Sequence, residues 1–141
     1  MSLVFWDTNL FIYLVEEHPR FGPQVEAIRA RMLARHDHLC TSALTVGEAL
    51  VGPTVNEDQQ MIREYQSILG PPLVRIIPFE AECGAVYARI RTDRTISRTD
   101  AMQLACAARA GVDLFVTNDR RLGSKVVPGI QFIAGIENCP L

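Results

Sequence analysis

Apolar positions along the chain fall into two alternating rhythms. Short, largely apolar runs stand at Leu3 to Trp6, Leu39 to Thr41, Leu73 to Ile77 and Leu114 to Thr117, with Ile130 to Ile133 as a candidate fifth. They are brief and β-rich, and polar residues do not alternate through them, which predicts strands covered on both faces. Helical spacing fills the intervals. Val25, Ile28 and Met32 share a face, as do Met61, Ile62, Tyr65, Ile68 and Leu69. Cys83, Val86, Tyr87 and Ile90 repeat the spacing, and so do Ala101, Leu104, Ala105 and Ala108, with Gly111 as the stop signal. Strands alternating with helices predict an α/β fold, a short parallel β-sheet of four to five strands flanked by helices.

Glycine and proline at Gly22-Pro23, Gly52-Pro53, Gly70-Pro71-Pro72 and Pro128-Gly129 mark turns between elements, not domain boundaries. There are no repeats and no low-complexity segment, so residues 1–141 are expected to form a single domain. The chain is 48% hydrophobic, which is enough to close a core at this length. No uncharged apolar stretch nears the roughly 20 residues that span a bilayer. Asp7 interrupts the first apolar run, and no basic region precedes it. A secretory signal is therefore not expected, and the expected location is cytoplasmic. Cys40, Cys83, Cys106 and Cys139 show no zinc spacing; Cys83 and Cys106 are expected to be buried free thiols, and Cys139 to be exposed near the terminus.

The formal net charge of −2 argues against a general polyanion binder, although charge can still be local. Arg89, Arg91, Arg94 and Arg98 crowd the approach to Asp100, and Arg120 and Arg121 follow Asp119. Arg94, Arg98 and Arg120 are candidate phosphate contacts. The plainer account is a solvated face pairing with Glu80, Glu82 or Asp93, and it is preferred for Arg121. His18, His36 and His38 read as surface histidines.

Parallel sheets present ligands at the carboxyl ends of their strands. Asp7 follows the first strand directly, and Asp119 follows the Leu114 to Thr117 strand. Glu48 lies in an apolar helical segment after the second strand, with Ser42 as its expected cap. Asp100 opens the last helix. Taken singly, each acid has an ordinary explanation as a helix cap or a solvated side chain. Converging, two carboxylates at about 4 Å repel by roughly 4 kcal/mol at an effective dielectric of 20, which a cation or shared protons must relieve. An oxygen-only set selects Mg²⁺ or Mn²⁺, the ions of metal-assisted phosphodiester hydrolysis.

Four segments carry a resemblance. Val4-Phe5-Trp6-Asp7-Thr8-Asn9 resembles the opening of PIN-domain nucleases. Thr41 to Glu48, Thr99 to Ala105 and Leu114 to Asp119 are similar to their later acidic motifs, in the same order. The resemblance implies a Rossmann-like sheet with Asp7, Glu48, Asp100 and Asp119 as catalytic and metal-holding residues. Thr8, Asn9 and Thr117 would support them. A single domain of this kind is similar to VapC-type toxins of toxin–antitoxin pairs. That implies RNA as substrate, Mg²⁺ or Mn²⁺ as cofactor, an antitoxin protein as partner and a homodimer.

Two other enzyme or signalling classes fit less well. A haloacid-dehalogenase-type phosphatase wants a second Asp where Asn9 stands and a well-placed lysine, and Lys125 is the only lysine. A phospho-accepting receiver domain wants an acidic pair near the first strand, but Asp7 has no acidic neighbour before Glu16. A non-catalytic RNA- or protein-binding PIN module remains as the binding-class alternative.

Overall fold

The computed structural model describes residues 1–141. In chain order it contains β1 (Leu3–Trp6), α1 (Thr8–Val15), α2 (Gly22–Arg35), β2 (His38–Ser42), α3 (Ala43–Val55) and α4 (Gln59–Ile68). β3 (Arg75–Ile77), α5 (Glu82–Ile90), α6 (Arg98–Ala110), β4 (Leu114–Thr117) and β5 (Phe132–Gly135) follow. The five strands form one sheet in the order β3-β2-β1-β4-β5, and every pairing is parallel. No helix is long and apolar enough to cross a membrane.

The three central strands, β2, β1 and β4, are buried on both faces, whereas the edge strands β3 and β5 are partly exposed. Val4, Trp6, Leu114 and Val116 point into a core roofed by Leu10 and Phe11 of α1, Val25, Ile28 and Met32 of α2, and Tyr65 of α4. Phe5 and Phe115 point the other way and stack at 4.9 Å. They are covered by Ile90 of α5 and by Ala101, Leu104 and Ala105 of α6. Small alanines on α6 let that helix lie close to the sheet. Cys40, Cys83 and Cys106 are buried free thiols, and burial pushes Cys40 and Cys106 up to about 12, which keeps them unreactive. Cys139 is partly exposed.

Two strands differ from expectation. β3 begins at Arg75 instead of Leu73, because the Val74 amide closes a turn onto the Gly70 carbonyl at 2.9 Å. β5 begins at Phe132 instead of Ile130. Gly129 has φ +98 and lies against α6, where a Cβ would meet the Ala108 carbonyl oxygen at 2.8 Å. That contact holds Val127 to Ile130 in a turn, with Ile130 buried against α6. Only glycine satisfies both the backbone angle and the approach.

Candidate active site

The carboxyl ends of β1 and β4 lie side by side, since Trp6 is paired with Val116 and the Asp7 amide donates to the Val116 carbonyl at 3.0 Å. This places Asp7 at the mouth of the sheet. Its carboxylate caps α1, accepting the Thr8 amide at 2.8 Å on Oδ1, while Oδ2 accepts the Thr117 hydroxyl at 2.8 Å. The cap explanation for Asp7 is therefore correct, and the residue also faces the cleft. Thr117 in turn accepts the Asp119 amide at 3.0 Å, so one hydroxyl ties the first acid to the loop bearing the fourth.

Glu48 reaches the same mouth from α3, on one side of the sheet. Asp100 reaches it from the first turn of α6, on the other. Asp7, Thr8, Asn9, Ile12, Glu48, Thr99, Asp100 and Asp119 line one cleft of about 240 Å³. The four acids named from sequence are thus brought together from four separate elements. Thr8 is buried beneath them and donates to Glu48 Oε1 at 3.1 Å. Asn9 is exposed on the cleft wall.

The charges interact. Burial is the largest cause that raises Asp7 from its ordinary 3.8 to about 6, and the negative charges of Asp100 and Glu48 push the same way. Its bonds to Thr117 and Thr8 oppose the rise without cancelling it. Asp100 is also raised, first by burial, then by Asp119. Asp119 is lowered, because Arg121 grips it with two nitrogens, Nε to Oδ1 at 3.1 Å and Nη2 to Oδ2 at 2.8 Å. One cation for four acids leaves the cleft electronegative.

No three of the carboxylates are drawn tightly enough to enclose an ion by themselves. An ion that retains several waters and takes one or two carboxylates plus substrate oxygens does not need such a cage, and Mg²⁺ is of this kind. The all-oxygen donor set and the uncompensated charge fit a hard divalent cation.

Three expectations need correction. Ser42 stands at the N-cap position of α3 but makes no capping bond, because its hydroxyl is turned to Gln103 of α6. Asp100 does not open α6. Ser97 is the cap and accepts the Asp100 amide at 3.1 Å. Arg121 is exposed and ion-paired as expected, but its partner is Asp119 and not Glu80, Glu82 or Asp93. Arg120 pairs instead with Glu137 at 3.6 Å, in an adjoining hollow of about 390 Å³ that begins at Asp119. Arg94 and Arg98 are exposed and make no ion pair, and Glu80, Glu82 and Asp93 do not serve them. Asp93 is held by Lys125 at 2.9 Å, which takes the only lysine into a different hollow, away from the acids. That removes the lysine a haloacid-dehalogenase-type phosphatase would need.

Sequence reading missed the roles of Gln103 and Thr45, buried polar residues beneath the cleft. A signal was present: Thr45 lies one turn before Glu48 and Gln103 one turn after Asp100, on the same helix faces as those acids.

Similarities to known proteins agree with this geometry. Among curated proteins none matches the chain. Solved structures do. A chain of the VapBC2 complex of Rickettsia felis, bound to a DNA fragment from its promoter, is similar at 19% identity and TM-score 0.73, covering 94% of this chain and 98% of that one. A chain of DNA-bound VapBC from Salmonella typhimurium gives 21% identity and TM-score 0.67, covering 96% and 99%. VapC20 of Mycobacterium tuberculosis, a sarcin-ricin loop cleaving toxin, gives 16% identity and TM-score 0.67, covering 87% and 96%. At these identities the likeness is one of fold. The PIN domain family model matches residues 4–126, which include all four acids, and the chain therefore belongs to the PIN domain family.

Proposed function

We propose that this protein is a Mg²⁺- or Mn²⁺-dependent endoribonuclease that hydrolyses RNA phosphodiester bonds, and that it is the toxin of a bacterial toxin–antitoxin pair acting in the cytoplasm. The observation that carries the reading is the cleft itself, with Asp7, Glu48, Asp100 and Asp119 delivered from four elements and only Asp119 neutralised. Membership of the PIN family and the fold shared with VapC20 support ribonuclease chemistry. The complexes formed by the VapBC relatives support an antitoxin partner.

In this reading the four acids would hold the ion, and Thr8, Asn9 and Thr117 would keep the acids in place. When bound, the ion supplies Lewis acidity toward the phosphodiester and toward the attacking water. Asp7, raised to about 6, is the acid whose charge is least stable without a cation beside it. The antitoxin lays apolar side chains over the region of α1 and sets a basic group in the acidic cleft. Co-purification of a small partner from the native host tests that part, and a second copy of the chain as dimer partner is read from sedimentation.

Arg94, Arg98 and Arg120 hold the RNA backbone. The first two are exposed without acidic partners, so their charge is free for phosphate. Replacing Arg94 and Arg98 with Ala should weaken binding of single-stranded RNA and flatten its salt dependence. Two lost phosphate contacts reduce the slope of log K against log salt by about 1.4. An unchanged slope returns both to the solvated surface. The nuclease reading as a whole is tested by RNA cleavage in Mg²⁺ or Mn²⁺, with and without a chelator.

A further inference from the structure

Beneath the cleft runs a connected set of polar side chains, enclosed in otherwise apolar packing. Gln103 of α6 is fully buried. Its amide nitrogen donates to Thr8 Oγ1 at 3.0 Å and to Thr45 Oγ1 at 2.8 Å, and its amide oxygen accepts the Ser42 hydroxyl. Thr8 and Thr45 lie 3.1 Å apart, hydroxyl to hydroxyl. Thr45 is 2.8 Å from the Thr41 hydroxyl, which is 2.8 Å from the Trp6 carbonyl. At the far end, Thr8 donates to Glu48 Oε1.

Counting hydrogens orders this chain. Between the Trp6 carbonyl and the Glu48 carboxylate there are four contacts and three hydroxyl hydrogens, and both ends only accept. If Thr8 donates to Glu48, then Thr45 donates to Thr8, and with Thr41 donating to Thr45 the Trp6 carbonyl contact is the one left without a hydrogen. Gln103 fits this direction. Its two N–H groups each fill one lone pair, on Thr8 and on Thr45. Each of these hydroxyls then accepts twice and donates once, its full capacity. The last hydrogen of the run rests on Glu48 Oε1. Oε2 has no hydrogen-bond partner within the protein.

We propose that Gln103 and Thr45 are positioning residues of the cleft, which hold the Thr8 hydroxyl on Glu48 Oε1 and so fix the Glu48 carboxylate with Oε2 free for a divalent ion. This rests on the divalent-ion reading given above. Neither residue touches the cleft, and both act through Thr8. Groups that orient a metal-holding carboxylate in this way typically change metal affinity by about 10–100-fold when removed.

The test is Mn²⁺ binding to the full chain, followed by the electron paramagnetic resonance signal of free Mn²⁺ and independent of any cleavage assay. Gln103→Met and Thr45→Val remove the hydrogen-bonding groups at nearly constant volume. Each is expected to weaken Mn²⁺ binding by about 10–100-fold. Thr45→Ser, which keeps the hydroxyl, is expected to bind like the parent. Val25→Ala opens a hole in the core under α2, away from the cleft, and is expected to destabilise the fold while leaving Mn²⁺ affinity unchanged. Should Gln103→Met fail to fold, the Thr45 pair decides. Parent-like Mn²⁺ affinity in Thr45→Val overturns the positioning role and leaves the ion site standing. An equal loss in Val25→Ala also overturns it, since the network would then serve only stability. A parent that binds no Mn²⁺ overturns the role together with the ion site.

Discussion

Metal-free Asp7→Asn is expected to be more stable than the metal-free parent at pH 7, and the advantage should vanish near pH 4. Asp7 is raised from 3.8 to about 6, chiefly by burial, then by the charges of Asp100 and Glu48. The sign follows from linkage. An acid whose folded value is raised contributes stability that is fully present below its unfolded value and is lost as pH rises through the folded value. For Asp7 the window runs from about 4 to about 6. A gap of that width corresponds to about 3 kcal/mol at pH 7. Asn retains the bond from the Thr8 amide, since it caps about as well as Asp. It meets the Thr117 hydroxyl with an amide hydrogen in place of an oxygen, and turning that hydroxyl costs about 1 kcal/mol. A net gain of about 1–2 kcal/mol remains, or roughly 3–8 °C in melting temperature for a domain of this size. Asp37, Asp93 and Asp119 are lowered, so their contributions are lost as pH falls. The quantity to compare is therefore the difference between variant and parent across pH, in which those terms cancel. A variant less stable than the parent at every pH would mean that the Asp7 charge is not a burden on the folded chain.

Asp100→Asn separates an acidic site from a helix cap. Ser97 caps α6, so Asp100 contributes no cap that Asn would lose. Its carboxyl is raised by burial and by Asp119, so neutralising it should raise the metal-free melting temperature. Added Mn²⁺ should then do less. At an ion concentration of 100 times Kd the parent gains about 2.7 kcal/mol, and a site weakened 100-fold gains only about 0.4 kcal/mol. RNA cleavage should fall by at least about 100-fold, since losing a ligand costs more than losing a group that merely orients one. Melting without metal, melting with Mn²⁺ and cleavage are read on the same preparation. Parent-like cleavage removes Asp100 from the site whatever its melting temperature.

The sequence made the sheet and its chemical edge legible for a specific reason. Strands buried on both faces must be nearly all apolar, so β1 and β4 end where the apolar run ends, and Asp7, directly after β1, and Asp119, two residues after β4, stand at the mouth. Glu48 and Asp100 are recognisable as acids on the helix that follows β2 and the helix that precedes β4. The side chains that connect them are not. Gln103 meets Thr8 across 95 positions and Thr45 across 58, so helix spacing shows only that each shares a face with an acid and not that they meet one another. Ser42 illustrates the same limit: its position at the start of α3 is that of a cap, yet Gln103 claims its hydroxyl. The partner of Arg121 was not legible, because charge order along the chain cannot tell which of two neighbouring arginines bends back, and Arg121, not Arg120, returns to Asp119. The start of β5 was displaced by Gly129, whose contact with α6 depends on the packing of the whole sheet.

The central claim is that four carboxylates at one sheet edge act through a divalent ion. Its most direct measurement is cleavage of a labelled RNA by the purified protein at fixed pH, with excess chelator, then with Mg²⁺ or Mn²⁺ restored above the chelator. The account predicts no cleavage in chelator and recovery on adding either ion, with Ca²⁺ less effective because it prefers longer bonds and more ligands. Undiminished cleavage in excess chelator would contradict it.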